Sequence, residues 1–139
     1  MSMLQEPLAS ATPQTSLYEH MGGETVVQAL VTRFYDLMEL EPQFAVLRGV
    51  HGASLDEARK RLFMFLSGWM GGPQLYTAAF GHPRLKMRHM PFRIGVQERD
   101  QWLACMAFAL QDCGIKDPLH TRLMESFFGT ADWMRNTDG

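Results

Sequence analysis

The stretch GHPRLKMRHMPFRIG, residues 81–95, carries two histidines, three arginines, a lysine and two prolines, and it lies between segments that read as helices. His89 stands beside the apolar residues Met90 and Phe92, with cations on both sides. On the local pattern alone, two uses of His89 are open. It is either a hydrogen-bonding residue of a turn at the edge of the core, or a ligand for a flat, anionic group.

The length and composition of the chain restrict the protein to a narrow class. Its 139 residues suit one domain with a core large enough to enclose a small cofactor, and an apolar content of 46% is typical of a folded protein. A net charge of −2 gives no overall basic field, so we expect no nucleic-acid partner. No apolar run approaches the roughly 20 residues of a membrane span, and no secretory signal is recognisable, so we expect no membrane contact.

The cysteines predict a reducing compartment. Cys105 and Cys113 lie in one predicted helix, eight positions apart. That spacing separates them by about 12 Å and prevents a disulfide within the helix. Free thiols of this kind are typical of the cytoplasm, which we therefore expect as the location.

Apolar spacing predicts helices along the chain and no convincing strand, so the expected fold class is all-α. We expect a flexible tail over 1–15 and a single domain over 16–139. Longer helices are predicted over 24–40, from a capping box at Ser54 and Glu57 to a stop at 71–73, over 96–113, and from a cap at Asp117 onward.

The same spacing assigns faces to these helices. Arg59 falls on the solvent face of the helix after Ser54, and Phe128 falls on the buried face of the last helix. Tyr35 and Trp102 are the polar exceptions on stripes that otherwise face inward. Each carries a hydrogen-bond donor that needs a partner when buried, and two such donors inside a helical domain suit a small polar guest.

If these residues hold a cofactor, haem fits them better than a conventional metal site. A metal cage built by the protein needs several more His, Asp or Glu ligands than the inward faces offer, whereas haem needs only one axial imidazole. Haem also needs an apolar lining, and cations for its propionates. The available lining is also what an ordinary core would use, and it comprises Phe34, Leu62, Phe65, Leu66, Met87, Phe92 and Met106.

Several motifs between Ser16 and Asn136 resemble one family closely. They are RFYDLM at 33–38, FLSGWMGGPQLY at 65–76, GHPRLKMRHMPFRIG at 81–95 and ERDQWLACM at 98–106, with paired glycines at 22–23 and 71–72. Together they resemble the group II, or O-type, truncated haemoglobins. The resemblance implies a truncated globin fold, a two-over-two helical sandwich around haem b (iron protoporphyrin IX).

The resemblance also implies roles for single residues. His89 matches the proximal iron ligand, and Met87 and Phe92 would press on the porphyrin. The hydroxyl of Tyr35 and the indole of Trp102 match the donors to the diatomic ligand. The other implied roles are a third polar group over the ligand at His51, an unhindered distal position at Ala58, pocket walls at Leu62 and Phe65, and propionate contacts at Arg61, Arg84 and Lys86.

The function that the resemblance implies is binding of O₂ and of other ligands, namely CO, NO or peroxide. Two donors on O₂ imply slow release, which favours nitric oxide or peroxide chemistry over bulk oxygen transport. Because we recognise no reductase domain, we expect turnover to need an external electron donor. Oxygen storage or sensing, by a monomer or weak homodimer, stays open. A remoter alternative is a haem-free helical module that docks an acidic partner.

Overall fold

The structure, a computed structural model, describes residues 16–137 apart from the side chain of Lys86. The tail expected over 1–15 lies outside the described residues. No strand occurs within 16–137, and the all-α class is confirmed. No helix in this range is long and apolar enough to cross a membrane. The helices are α1 (Leu17–Met21), α2 (Glu24–Leu40), α3 (Ala45–Gly49, preceded by a 3-10 turn at Pro42–Phe44), α4 (Asp56–Trp69), α5 (Leu75–Phe80), α6 (Leu85–His89), α7 (Val96–Asp112) and α8 (Leu119–Trp133).

Helix α2 is central to the fold because it contacts both α4 and α7, while α7 also lies against α8. Phe34 of α2 meets the ring of Trp102 from α7 at 5.3 Å, and Trp69 of α4 stacks on Phe127 of α8 at 4.7 Å. These aromatic contacts join the four long helices around one core. The inward stripe of α2 is fully buried, as the helical spacing predicts, and comprises Val27, Leu30, Val31, Phe34 and Met38.

The helix ends predicted at glycines are confirmed. Gly22 ends α1 with a φ of 116°, in the left-handed region that favours glycine. Helix α4 ends just before the glycine pair at 71–72. The prediction that Asp117 is the N-cap of α8 is wrong, because Pro118 occupies that position. Asp117 lies one residue earlier, and its carboxylate accepts the Thr121 N–H at 3.0 Å and the Thr121 hydroxyl at 2.6 Å.

The capping box predicted for α4 is wrong. The helix begins at Asp56, and Ser54 accepts only the Asp56 N–H, at 3.2 Å. Glu57 does not reach back to Ser54, because its carboxylate is engaged one turn ahead by Arg61, at 3.1 Å. An i,i+4 ion pair on the surface therefore takes the place of the expected cap.

Two predicted faces are also wrong. Arg59 does not point into solvent, because its long side chain crosses to α2 and donates to the Thr32 carbonyl at 3.2 Å and to Asp36 at 3.0 Å. Phe128 is 47% exposed, because α8 turns the preceding phenylalanine into the core instead. The guanidinium of Arg99 lies over the Phe128 ring at 5.2 Å.

The contact between α1 and the glycine pair provides a test of the fold. A Cβ on Gly72 would lie 2.5 Å from the ring of Tyr18, whereas a Cβ on Gly129 of α8 would meet nothing within 4 Å. We expect Gly72→Ala to displace α1 and to lower the free energy of unfolding by about 1–3 kcal/mol. Gly129→Ala should raise it by about 0.5–1 kcal/mol. Urea denaturation checks both values, and a Gly72→Ala protein as stable as the unsubstituted one would contradict this packing.

Candidate functional site

His89 ends α6, and its ring is held by the same turn of helix. Its Nδ1 lies 2.7 Å from the carbonyl oxygen of Leu85. A carbonyl can only accept, so the hydrogen is on Nδ1 and the lone pair is left on Nε2. A histidine held in this way presents Nε2 as a ligand, with its orientation supported from behind by the backbone.

Apolar side chains around His89 are exposed. Met87 is 57% exposed, Met90 58% and Phe92 44%, and the Phe92 ring lies 6.5 Å from the imidazole. Single exposed apolar residues are common, but a cluster beside a candidate ligand is typical of a binding surface. The contact of Met87 and Phe92 with a porphyrin stays a prediction, and their exposure supports it.

Tyr35 is buried, but its hydroxyl has no hydrogen-bond partner in the described part of the chain. The residue is 5% exposed, and no described backbone or side-chain group bonds the hydroxyl. A buried hydroxyl left unpaired costs about 1–3 kcal/mol, so such a group calls for an explanation. Burial raises the pKa of Tyr35, although the guanidinium of Arg59, 5.7 Å from the ring centre, opposes the rise. The hydroxyl therefore keeps its proton at neutral pH and remains a donor.

Trp102 brings a second unpaired donor to this part of the core. Helix α7 places its half-buried indole against Phe34 and Phe127, with ring centres 5.3 and 5.4 Å away. The Phe34 ring also lies 5.0 Å from the Tyr35 ring. In the described part of the chain, the indole N–H has no acceptor. The structure thus brings Tyr35 and Trp102 around one phenylalanine from two helices.

His51 joins Tyr35 from the loop after α3. Its ring meets the Tyr35 ring edge-on at 5.9 Å, and its Nδ1 donates to the Leu47 carbonyl at 3.0 Å. Burial lowers the pKa of His51, the bond to the Leu47 carbonyl opposes this, and the positive charge of Arg48 lowers the pKa further. His51 also lines an open cavity of about 570 Å³ at the end of α2. Its place beside Tyr35 supports the prediction of a third polar group.

The predicted wall residues lie on α4. Leu62 and Phe65 are half-buried there, packed against the core. Arg61 is on the same helix, but its guanidinium is engaged by Glu57 at 3.1 Å and lies over the Phe80 ring at 4.5 Å. Arg61 can therefore bind a propionate only by giving up part of these contacts.

Two further candidates, Arg84 and Lys86, are close in sequence to His89. Arg84 precedes α6 in a left-handed conformation, with φ of 49°, and its N–H donates to Nδ1 of His82 at 3.3 Å. Lys86 lies on α6 itself, in the same turn as His89. The half-buried Ala58 on α4 leaves little side-chain bulk at the predicted distal position.

These residues suit haem better than a bare metal ion. Over the described ranges, no group of three or more histidine, cysteine or acidic side chains could hold a metal ion. A metal bound here would therefore have to bring its own equatorial ligands, as a porphyrin does. The chain offers the complement of a porphyrin: one imidazole with its Nε2 lone pair available, apolar side chains open to a flat surface, and two unpaired donors.

Sequence reasoning missed two residues that contact the candidate site. Arg59 joins α4 to α2 beside Tyr35, through Asp36 and the Thr32 carbonyl. The contact of Arg59 could have been suspected from the sequence, because its acidic partner Asp36 directly follows Tyr35 in RFYD. Asn136 bonds the backbone after His89, and no local pattern signals that contact because the two lie 47 positions apart.

Comparison with known proteins adds independent information. The family described as bacterial-like globin matches residues 16–136. The group 2 truncated hemoglobin YjbI of Bacillus subtilis is 35% identical over 119 residues, covering 86% of this chain and 87% of that protein. The group II 2-on-2 hemoglobin of Agrobacterium tumefaciens has a TM-score of 0.87 and 35% identity, covering 92% of this chain and 98% of that one. A truncated oxygen-avid haemoglobin from Bacillus subtilis has a TM-score of 0.81 and 34% identity, covering 88% and 100%. The expected two-over-two helical fold is confirmed.

His51 gives the protein a pH response whose direction follows from its lowered pKa. The fold favours the neutral imidazole, so stability is greatest above the unfolded pKa of about 6.5 and is lost as the pH falls through the lower folded pKa. His51→Phe keeps an aromatic ring and removes the titration. We therefore expect its free energy of unfolding to fall less than that of the unsubstituted protein between about pH 7.5 and 5. Urea denaturation at both pH values measures the difference, and equal losses would count against it.

Proposed function

The chain belongs to the bacterial-like globin family, whose fold binds haem and oxygen, and on this premise we propose that it is a haem b protein for O₂, CO, NO or peroxide. His89 binds the iron on the proximal side. Tyr35 and Trp102, with His51 beside them, form a polar distal side. The reaction is redox chemistry with nitric oxide or peroxide, supported by an external electron donor in the cytoplasm, rather than bulk oxygen transport.

The unpaired hydroxyl of Tyr35 is the observation that carries the proposal. A phenylalanine would fill the same space without the cost of an unsatisfied polar group. The cost of the unpaired Tyr35 hydroxyl is offset if a bound molecule accepts its hydrogen. The alternative, a haem-free helical module, leaves both the Tyr35 hydroxyl and the Trp102 N–H without a use, and it leaves the apolar side chains around His89 exposed.

His89 performs the proximal role through its own hydrogen bond. The Leu85 carbonyl keeps the hydrogen on Nδ1, which leaves Nε2 unprotonated and makes the imidazole a better electron donor. Haem, when bound, would supply an iron that can bind a small diatomic ligand. Arg84 and Lys86 precede His89 in sequence and are the candidates for propionate contacts, with Arg61 from α4.

The distal donors favour retention of O₂ over its delivery. A bound O₂ carries partial negative charge, so each donor would stabilise it by about 1 kcal/mol or somewhat more. Two donors therefore slow its release considerably. The similar Bacillus subtilis structure is described as oxygen-avid, which agrees with such a site. Steady-state turnover with nitric oxide or peroxide, given a reductant, separates the proposed redox role from storage or sensing.

The proximal assignment predicts that haem binding depends on His89. We expect His89→Gly to lose tight haem binding, because no second imidazole lies on the same turn. Added free imidazole should restore the ferrous and CO-bound absorption spectra by filling the vacated space. The matched control is His82→Ala, in the same segment, which should leave both spectra intact. Unchanged spectra in His89→Gly without imidazole would show that the ligand is another residue.

The distal assignment predicts the rate of O₂ release. Tyr35→Phe and Trp102→Phe should each accelerate O₂ dissociation by about tenfold, which corresponds to the loss of a hydrogen bond worth about 1.4 kcal/mol. CO is a poorer acceptor and should respond less. Stopped-flow replacement of O₂ by CO measures the rates.

A stability control separates this role from a structural one. The Tyr35 hydroxyl has no protein partner within residues 16–137, so Tyr35→Phe should leave the haem-free protein at least as stable as before. The distal assignment fails if the Tyr35→Phe/Trp102→Phe double variant releases O₂ within about twofold of the original rate, a difference below about 0.5 kcal/mol.

A further inference from the structure

The end of the chain folds back onto the segment that contains His89. After α8, the backbone N–H of Asn136 donates to the Ile94 carbonyl at 2.8 Å, and its side-chain oxygen accepts the Ile94 N–H at 2.9 Å. Its side-chain nitrogen donates to the Phe92 carbonyl at 2.7 Å and to the His89 carbonyl at 3.3 Å. One asparagine thus bonds the backbone at three positions, starting at the histidine itself.

The hydrogen-bond pattern defines the orientation of the Asn136 amide. The NH₂ group can only donate, and it faces two carbonyls, while the amide oxygen faces an N–H. A flipped amide would oppose like groups at all three contacts. The last turn of α8 does not use this side chain, because Met134 and Arg135 close it through backbone bonds. The Asn136 side chain therefore serves the His89 segment rather than its own helix.

The His89 segment needs an external tether because its own side chains anchor it weakly. Helix α6 has only five residues. Met87, Met90 and Phe92 are between 44% and 58% exposed, so they bury little area against the core. A segment of this kind depends on backbone hydrogen bonds for its position.

We propose that Asn136 is a positioning residue for His89. The Leu85 carbonyl accepts the hydrogen of the imidazole and fixes the ring. The Asn136 amide bonds the backbone of His89 and of the residues that follow it, and so fixes the main chain. Together they keep Nε2 in one direction. This inference rests on the proposed function, in which His89 binds iron, and it adds that the chain end controls the geometry of that ligand.

Loss of the Asn136 amide should act on the ligand bond itself. The His89 carbonyl would keep only its bond from the Phe92 N–H, at 3.0 Å. The backbone between α6 and α7 would then sample more positions, and the imidazole would turn about its bond to Leu85. The bond from His89 to iron would become weaker and more heterogeneous, although every residue of the site would still be present.

Two substitutions test this in the haem-loaded protein. Asn136→Asp has nearly the same shape and keeps an oxygen for the Ile94 N–H, but it places an oxygen against the Phe92 and His89 carbonyls. Asn136→Ala removes all the side-chain bonds. We expect both to shift or split the iron–histidine stretching band in resonance Raman spectra of the ferrous protein. We also expect haem transfer to an acceptor apoprotein to accelerate by about tenfold, as for the loss of one to two hydrogen bonds.

A control variant separates positioning from general stability. Asp117→Ala removes the carboxylate that bonds Thr121 at the other end of α8, and it should weaken that end of the helix without touching the His89 segment. Its iron–histidine band should stay where it is in the unsubstituted protein. If Asn136→Ala does not fold, the near-isosteric Asn136→Asp decides the question.

The outcomes are distinct. An iron–histidine band that is unchanged in the Asn136 variants overturns the positioning role. This holds even if haem transfer accelerates, because the loss of a purely structural contact would also accelerate haem transfer. A band that Asp117→Ala shifts equally also overturns it. If the unsubstituted protein shows no iron–histidine band that disappears in His89→Gly, the proposed function itself has failed.

Discussion

The hydrogen bond from Nδ1 of His89 to the Leu85 carbonyl determines what the proximal side can do. At 2.7 Å it takes up the imidazole hydrogen and leaves the Nε2 lone pair for a ligand. Helix geometry is enough to form it, because residues i and i+4 face each other on one turn. A single turn is also easily displaced, and for that reason the bonds from Asn136 to the following backbone matter.

The distal side depends on polar groups that the fold leaves unpaired. Helix spacing buries Tyr35 beside Phe34, and α7 brings Trp102 to the other side of the same phenylalanine. Neither donor finds an acceptor among residues 16–137. Arg59 stabilises this arrangement by joining α4 to α2 and by lying over the Tyr35 ring. The ring is therefore fixed in place, while the hydroxyl stays available to a ligand. Unpaired donors held by a rigid surround are ready for a ligand without further ordering.

Much of this arrangement could be predicted from the sequence because it depends on periodicity. The burial of Tyr35 follows from its place one turn from an apolar stripe, and the end of α1 follows from the glycine at position 22. The errors arise where a long side chain has more than one partner within reach. Glu57 bonds Arg61 ahead of it rather than the backbone behind it, and Arg59 reaches a neighbouring helix instead of solvent. The contact of Asn136 with the His89 segment exists only once α8 has docked, so no local pattern could reveal it.

The most direct test of the site is the long-range ¹H–¹⁵N NMR spectrum of the ferrous, CO-bound protein, which is diamagnetic. We predict that His89 carries its hydrogen on Nδ1 and that its Nε2 resonance is displaced by the metal, while no ring nitrogen of His20, His82 or His120 is displaced in this way. A His89 with two ordinary ring nitrogens, and a displaced resonance on another histidine or on none, would contradict the account.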